Sequence, residues 1–132
     1  MDMPLAGFHH VKLPVSDVVR SRDWYARVLD LHIVLEFVEE GILMGVALGD
    51  PAGTVSVALR HDPARAAAMA GFDPIALLVP TCDELSAWEQ RLNDLGAPHG
   101  GIITGHAGWV IVGLHDPDGI EIRLYTPSGA ER

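Results

Sequence analysis

The chain has 132 residues, 48% of them apolar and 20% charged, with a formal charge of −9. This length and composition fit one globular domain with a sizeable core and exclude a disordered chain. The negative charge, with no Lys/Arg cluster interleaved with aromatics, argues against nucleic acid as a partner, and no run nears the ~18 apolar residues of a membrane span.

In chain order, the opening MDMPLAGF lacks the basic start and apolar run of a signal peptide, so a cytoplasmic protein is expected. GFHHVKLPV, residues 7–15, follows and reads as a strand, with Val11, Leu13 and Val15 alternating with other residues. On that alternation His10, Lys12 and Pro14 share one face and His9 points the other way. Ser16 or Asp17 can cap the next helix, where Val18, Tyr25, Val28 and Leu29 gather on one side. Strand-like runs follow at 32–38, 43–48 and 54–60. The segment 62–71, DPARAAAMAG, reads as a short helix and turn.

The pattern then repeats. GFDPIALLVPTCDELSAWEQRLNDL, from Gly71, aligns without a gap on GFHHVKLPVSDVVRSRDWYARVLDL, from Gly7. Identities fall at Gly7/Gly71, Phe8/Phe72, Leu13/Leu77, Val15/Val79, Trp24/Trp88, Arg27/Arg91, Asp30/Asp94 and Leu31/Leu95, which indicates duplication. The second helix begins with a capping box, Thr81 to Glu84, carries the stripe Leu85, Trp88, Leu92 and Leu95, and stops at Gly96. Cys82, alone in the chain, can form no internal disulfide and reads as a buried apolar residue. Both tryptophans are expected to pack their helices on a sheet. Strands are expected at 102–104, 109–114 and 120–125, the last two joined through the turn Asp116-Pro117-Asp118-Gly119.

The order is β-α-β-β-β, twice: module one at about 7–60, a linker at about 61–71 and module two at about 72–127, in a single domain. One module of this size is marginal alone, so the sheets should pair, within a chain or between chains. This duplicated unit, with HHVKLPVSD at its start and DPDGIEIRLY at its end, resembles the vicinal oxygen chelate superfamily. That group includes glyoxalase I, extradiol dioxygenases, fosfomycin-resistance transferases and bleomycin-resistance proteins. The resemblance implies an α+β fold in which two tandem βαβββ modules form a curled, open mixed sheet with helices outside and a ligand cavity within. It also implies a homodimer, often with the cavity at the subunit interface, and in metal-dependent members a divalent ion held by His, Glu or Gln, His and Glu.

Carried over residue by residue, that ligand set fails. The first position is His10. The second falls on Ala58, which has no donor, the third on Pro74, which has none either, and the fourth on Arg123, whose permanent charge repels a cation. The usual metal is therefore expected to be lost, with no cofactor in its place. Glu121 and the histidines His61, His106 and His115 could build only a site of different geometry.

The residues expected to line the cavity are His10, Lys12, Ser56, Arg60, Glu121, Arg123 and Tyr125, among Ala58, Pro74, Ala76 and Leu78. Such a mostly apolar wall with few polar groups suits a small organic ligand. Three readings follow. The first is metal-independent binding or sequestration of a small molecule, as in the bleomycin-resistance branch. The second is a metal-free enzyme using His10 as base and Arg123 to hold an enolate or carboxylate oxygen, with an Arg123–Glu121 ion pair as the structural alternative. The third is a metal-dependent lyase, isomerase or dioxygenase with an altered ligand set. No nucleophile elbow, P-loop or H-E-x-x-H motif is present.

Overall fold

The computed structural model describes residues 2–127. Their order is β1 (Val11–Val15), α1 (Val18–Leu29), β2 (His32–Glu39), β3 (Ile42–Gly49), β4 (Ser56–His61), α2 (Pro63–Met69), β5 (Ile75–Leu78), α3 (Cys82–Asp94), β6 (Ile102–Gly105), β7 (Gly108–Ile111) and β8 (Ile122–Pro127). The strands form two four-stranded sheets, ordered β1-β4-β3-β2 and β5-β8-β7-β6. In each, the first strand runs parallel to the last strand of its module and the other pairs are antiparallel, so the duplication in sequence is a duplication in topology. β7 stops three residues short of the run read from the sequence. Gly113, with φ +75°, turns the chain out of the ladder, and the Gly113 N–H is given to Glu121.

Local chemistry sets the element ends. The Asp17 carboxylate accepts from the Arg20 N–H at 3.0 Å and caps α1, and the Thr81 hydroxyl accepts from the Glu84 N–H at 3.2 Å and caps α3. Glu40 and Gly41, both at positive φ, form the two-residue turn of the β2–β3 hairpin. The apolar faces expected of the helices are the buried ones: Val18, Tyr25, Val28 and Leu29 on α1, Cys82, Leu85 and Leu92 on α3. Trp24 and Trp88 pack, partly buried, against the core. Among the described residues, no helix is long and apolar enough to cross a membrane.

The modules are joined through their helix side rather than edge to edge. Leu13, Val46, Leu48 and Leu59 of the first sheet share one buried cluster with Ile111, Ile122 and Leu124 of the second. Polar ties reinforce it. The Arg91 guanidinium of α3 donates to the carbonyls of Arg27 and Val28 at the end of α1, at 2.6 and 3.3 Å. The Asp118 carboxylate accepts from the Ser16 hydroxyl and, at 3.0 Å, from the Ser16 N–H. Below them the buried Tyr25 hydroxyl donates to Asp116 at 2.7 Å. The Asp-Pro-Asp-Gly turn thus closes the second module and fastens it to α1.

β2 is the exception to burial: all eight of its residues are exposed, among them Ile33, Val34, Leu35, Phe37 and Val38. Gly45 on β3 lies opposite Phe37, and a Cβ there would stand 2.7 Å from the Leu59 carbonyl and 3.6 Å from the Phe37 ring. Gly45→Ala is expected to cost about 1–3 kcal/mol by forcing two strands apart. Urea unfolding checks this, and a loss below ~0.5 kcal/mol would show that the sheet yields freely.

Candidate functional site

Strand pairing decides which side chains share a face. Lys12 lies opposite Ala58, Ala58 opposite Ala47, and Ala47 opposite Leu35. Gly45 and Arg60 form the next such pair, with Phe37 beside them. A register shift between Ile33 and Leu35 lets the successive residues Val34 and Leu35 both reach this side. The result is a cavity of about 500 Å³, lined by His9, His10, Lys12, Val34, Leu35, Phe37, Ala47, Ser56, Ala58, Leu59 and Arg60. Its wall is mainly apolar, with polar groups at one side.

Of the sequence-derived site residues, His10, Lys12, Ser56, Ala58 and Arg60 come together here, whereas Pro74, Glu121, Arg123 and Tyr125 do not. The latter four belong to the second module, and no residue of that module lines the cavity. Of the two pairings left open by the sequence, within a chain or between chains, the one within a chain does not form this cavity: the two sheets of one chain share a core on their helix side. Within one chain Arg123, expected to act with His10, is not among the residues that line the cavity with it.

The expectation for His9 is corrected too. β1 begins only at Val11, so strand alternation does not reach residues 9 and 10. Both imidazoles line the cavity, and their Nδ1 atoms are 2.9 Å apart. At that distance one ring donates and the other accepts. The accepting ring must carry its proton on Nε2, so the pair keeps an N–H for a further partner.

Charges on the wall are partly spoken for. Arg60 places its two terminal nitrogens on the two oxygens of Glu39, at 2.9 and 3.2 Å, a forked pair that holds Glu39 below the usual carboxylate range. Lys12 makes no ion pair or hydrogen bond among the described residues.

On the second sheet Arg123 sits opposite Ala76, as Ala58 sits opposite Lys12, so Arg123 and Ala58 occupy equivalent places in the two modules. Arg123 is held at 2.6 Å from Glu121 and 3.3 Å from Asp73. The hydrogen bond to Glu121 raises the guanidinium further above its already high value. Burial pushes Glu121 up, but hydrogen bonds from Arg123 and the Gly113 N–H outweigh it and leave the carboxyl below its ordinary range. The ion pair weighed as the structural alternative is thus present, and the Arg123 charge is engaged.

The metal positions can now be judged as chemistry. His10 has one nitrogen committed to His9, Ala58 and Pro74 offer no donor, and Arg123 is cationic. This set does not fit a divalent ion. Among the described residues, no three His, Cys, Asp or Glu side chains converge to hold one.

Residues 7–124 match the model of one family, described as Glyoxalase/Bleomycin resistance protein/Dioxygenase superfamily. The chain belongs to that superfamily. A curated relative of this superfamily member, named "Putative ring-cleaving dioxygenase MhqA" from Bacillus subtilis (strain 168), is 29% identical over 129 residues. That match takes in 92% of the chain but 40% of the relative's length. Among solved structures, TnmS3, an antibiotic binding protein from Streptomyces sp. CB03234, superposes with TM-score 0.77 at 20% identity, covering 96% of this chain and 100% of that one. Lactoylglutathione lyase from Agrobacterium tumefaciens gives 0.75 at 17% identity, covering 94% and 96%. These superpositions establish the superfamily fold.

Six residues of the cavity wall were not read from the sequence: His9, Val34, Leu35 and Phe37, with Ala47 of β3 and Leu59 of β4; nor was Glu39, which lies outside the wall and neutralises Arg60. A signal was present in HIVLEFVE, which is apolar on both faces.

Proposed function

We propose that this superfamily member binds a small organic molecule in the cavity of its first sheet without a metal ion, and that it holds the molecule rather than transforming it. The observation that carries this is the wall itself: a largely apolar cavity of about 500 Å³ whose family metal positions read His10, Ala58, Pro74 and Arg123. Apolar walls with few polar groups suit a drug-sized ligand, and one imidazole cannot hold an ion alone. The likeness in fold to an antibiotic binding protein agrees with sequestration.

The working form in this reading is a homodimer in which the second sheet of one copy closes the first cavity of the other. Two features support it: the exposed apolar β2, and the outer edges of β1 and β5, each paired on one side only. Sedimentation should therefore give twice the chain mass. Phe37→Asp, which puts a carboxylate on the exposed face, should shift the protein to monomer at micromolar concentration with its helical signal kept. A wild-type monomer would remove the dimer from the proposal. The metal-free part is tested by elemental analysis after incubation with zinc, nickel, manganese and iron(II). Less than a tenth of an equivalent retained is expected, and a stoichiometric ion lost in His10→Ala would refute it.

A further inference from the structure

We infer that the ligand of this cavity is an organic anion, an apolar body carrying one carboxylate or sulfonate that Lys12 anchors. The inference rests on the proposed ligand site and adds the charge of what it takes. The net charge of −9 by itself suggests a cationic ligand. Exposed charges more than about 8–10 Å away are largely screened at physiological salt, however, so the wall decides.

Among the described residues no Asp or Glu lines the cavity, and the cationic side chains that do are Lys12 and Arg60. Arg60 is cancelled by the forked contact with Glu39. Lys12 is left as the wall's one unmatched charge among the described residues. A cation entering would give up hydration beside a like charge with no anion to receive it, whereas an anion finds its counterion in place. The His9–His10 pair adds an uncharged donor, since the accepting ring keeps its Nε2–H. A second sheet closing the cavity would add no free cation, because Arg123 arrives already held between the carboxylates of Glu121 and Asp73, so Lys12 remains the anchor. The apolar body then lies on Leu35, Phe37 and Ala58.

Two fluorescent probes sharing one ring skeleton test this on the full chain at 0.15 M salt: 8-anilinonaphthalene-1-sulfonate and its uncharged analogue N-phenyl-1-naphthylamine. The sulfonate should bind at least about tenfold more tightly, as expected of one charge-assisted contact. Lys12→Met should erase that margin, the two probes then binding alike, and Lys12→Arg should keep it. Circular dichroism of each variant confirms the fold. Equal binding of the two probes, or a margin that survives Lys12→Met, would overturn the anion anchor while leaving the ligand site standing. Failure of both probes to bind would overturn the ligand site and the anchor together.

Discussion

Asp116→Ala is expected to lower stability by about 3 kcal/mol, or roughly 10 °C in Tm, although residue 116 lies in a turn. Its carboxylate, 4% exposed, accepts from the Tyr25 hydroxyl at 2.7 Å, the Asp118 N–H at 2.9 Å and the Ile120 N–H at 3.0 Å. Truncation orphans three donors, one of them a hydroxyl that is fully buried between the modules. Tyr25→Phe keeps the ring and its edge contact with Trp24, so its cost should be smaller, about 1.5 kcal/mol. The two costs should be non-additive in a double-mutant cycle, because they remove one shared bond. Independent costs would show that the modules are not fastened there.

The pH dependence of this site has a definite sign. Burial raises the Asp116 carboxyl above its ordinary value, and the hydrogen bonds from Tyr25, Ile120 and Asp118 only partly offset that. A carboxyl raised on folding adds stability below its unfolded pKa of ~3.9 and loses that increment as pH rises through the folded value. The cost of Asp116→Asn should therefore widen as pH falls from 7.5 to 4.5. A cost that narrows would mean that the folded site favours the ionised form.

Ala58→Phe should abolish binding at the cavity, weakening N-phenyl-1-naphthylamine by more than about tenfold, with stability within roughly 1 kcal/mol of wild type. Ala58 sits mid-strand on β4, and its register neighbours Lys12 and Ala47 line the same cavity, so a larger side chain grows into the ligand's space rather than the core. Loss of binding together with unfolding would show instead that the position belongs to the core. Unchanged binding would place the ligand elsewhere.

The duplication made the architecture readable from sequence. Matched positions such as Trp24/Trp88 and Leu31/Leu95 fixed the module length, and alternation at Val11, Leu13 and Val15 set the buried face of β1. Helix ends were readable because Asp17, Thr81 and Gly96 act on neighbouring backbone. The site was only half legible, for physical reasons. Alternation could assign Lys12, Ser56, Ala58 and Arg60 to one face because they lie within ladders, but it does not reach His9, which precedes the strand. How the two modules meet depends on contacts such as Tyr25 to Asp116, 91 residues apart, which no local pattern encodes. The Glu121 partner of Arg123 was legible, two residues away on the same strand run, but the partner of Arg60 and the second partner of Arg123 were hidden: Glu39 is 21 residues from Arg60, and Asp73 comes from the opposite end of the second module.

The most direct test of metal-free binding is a fluorescence titration of metal-stripped protein with N-phenyl-1-naphthylamine in excess chelator. One saturable site per chain, with an affinity that returning manganese, iron(II) or zinc leaves unchanged, is the expected result. Binding that appears only once a divalent ion is restored would contradict the proposal.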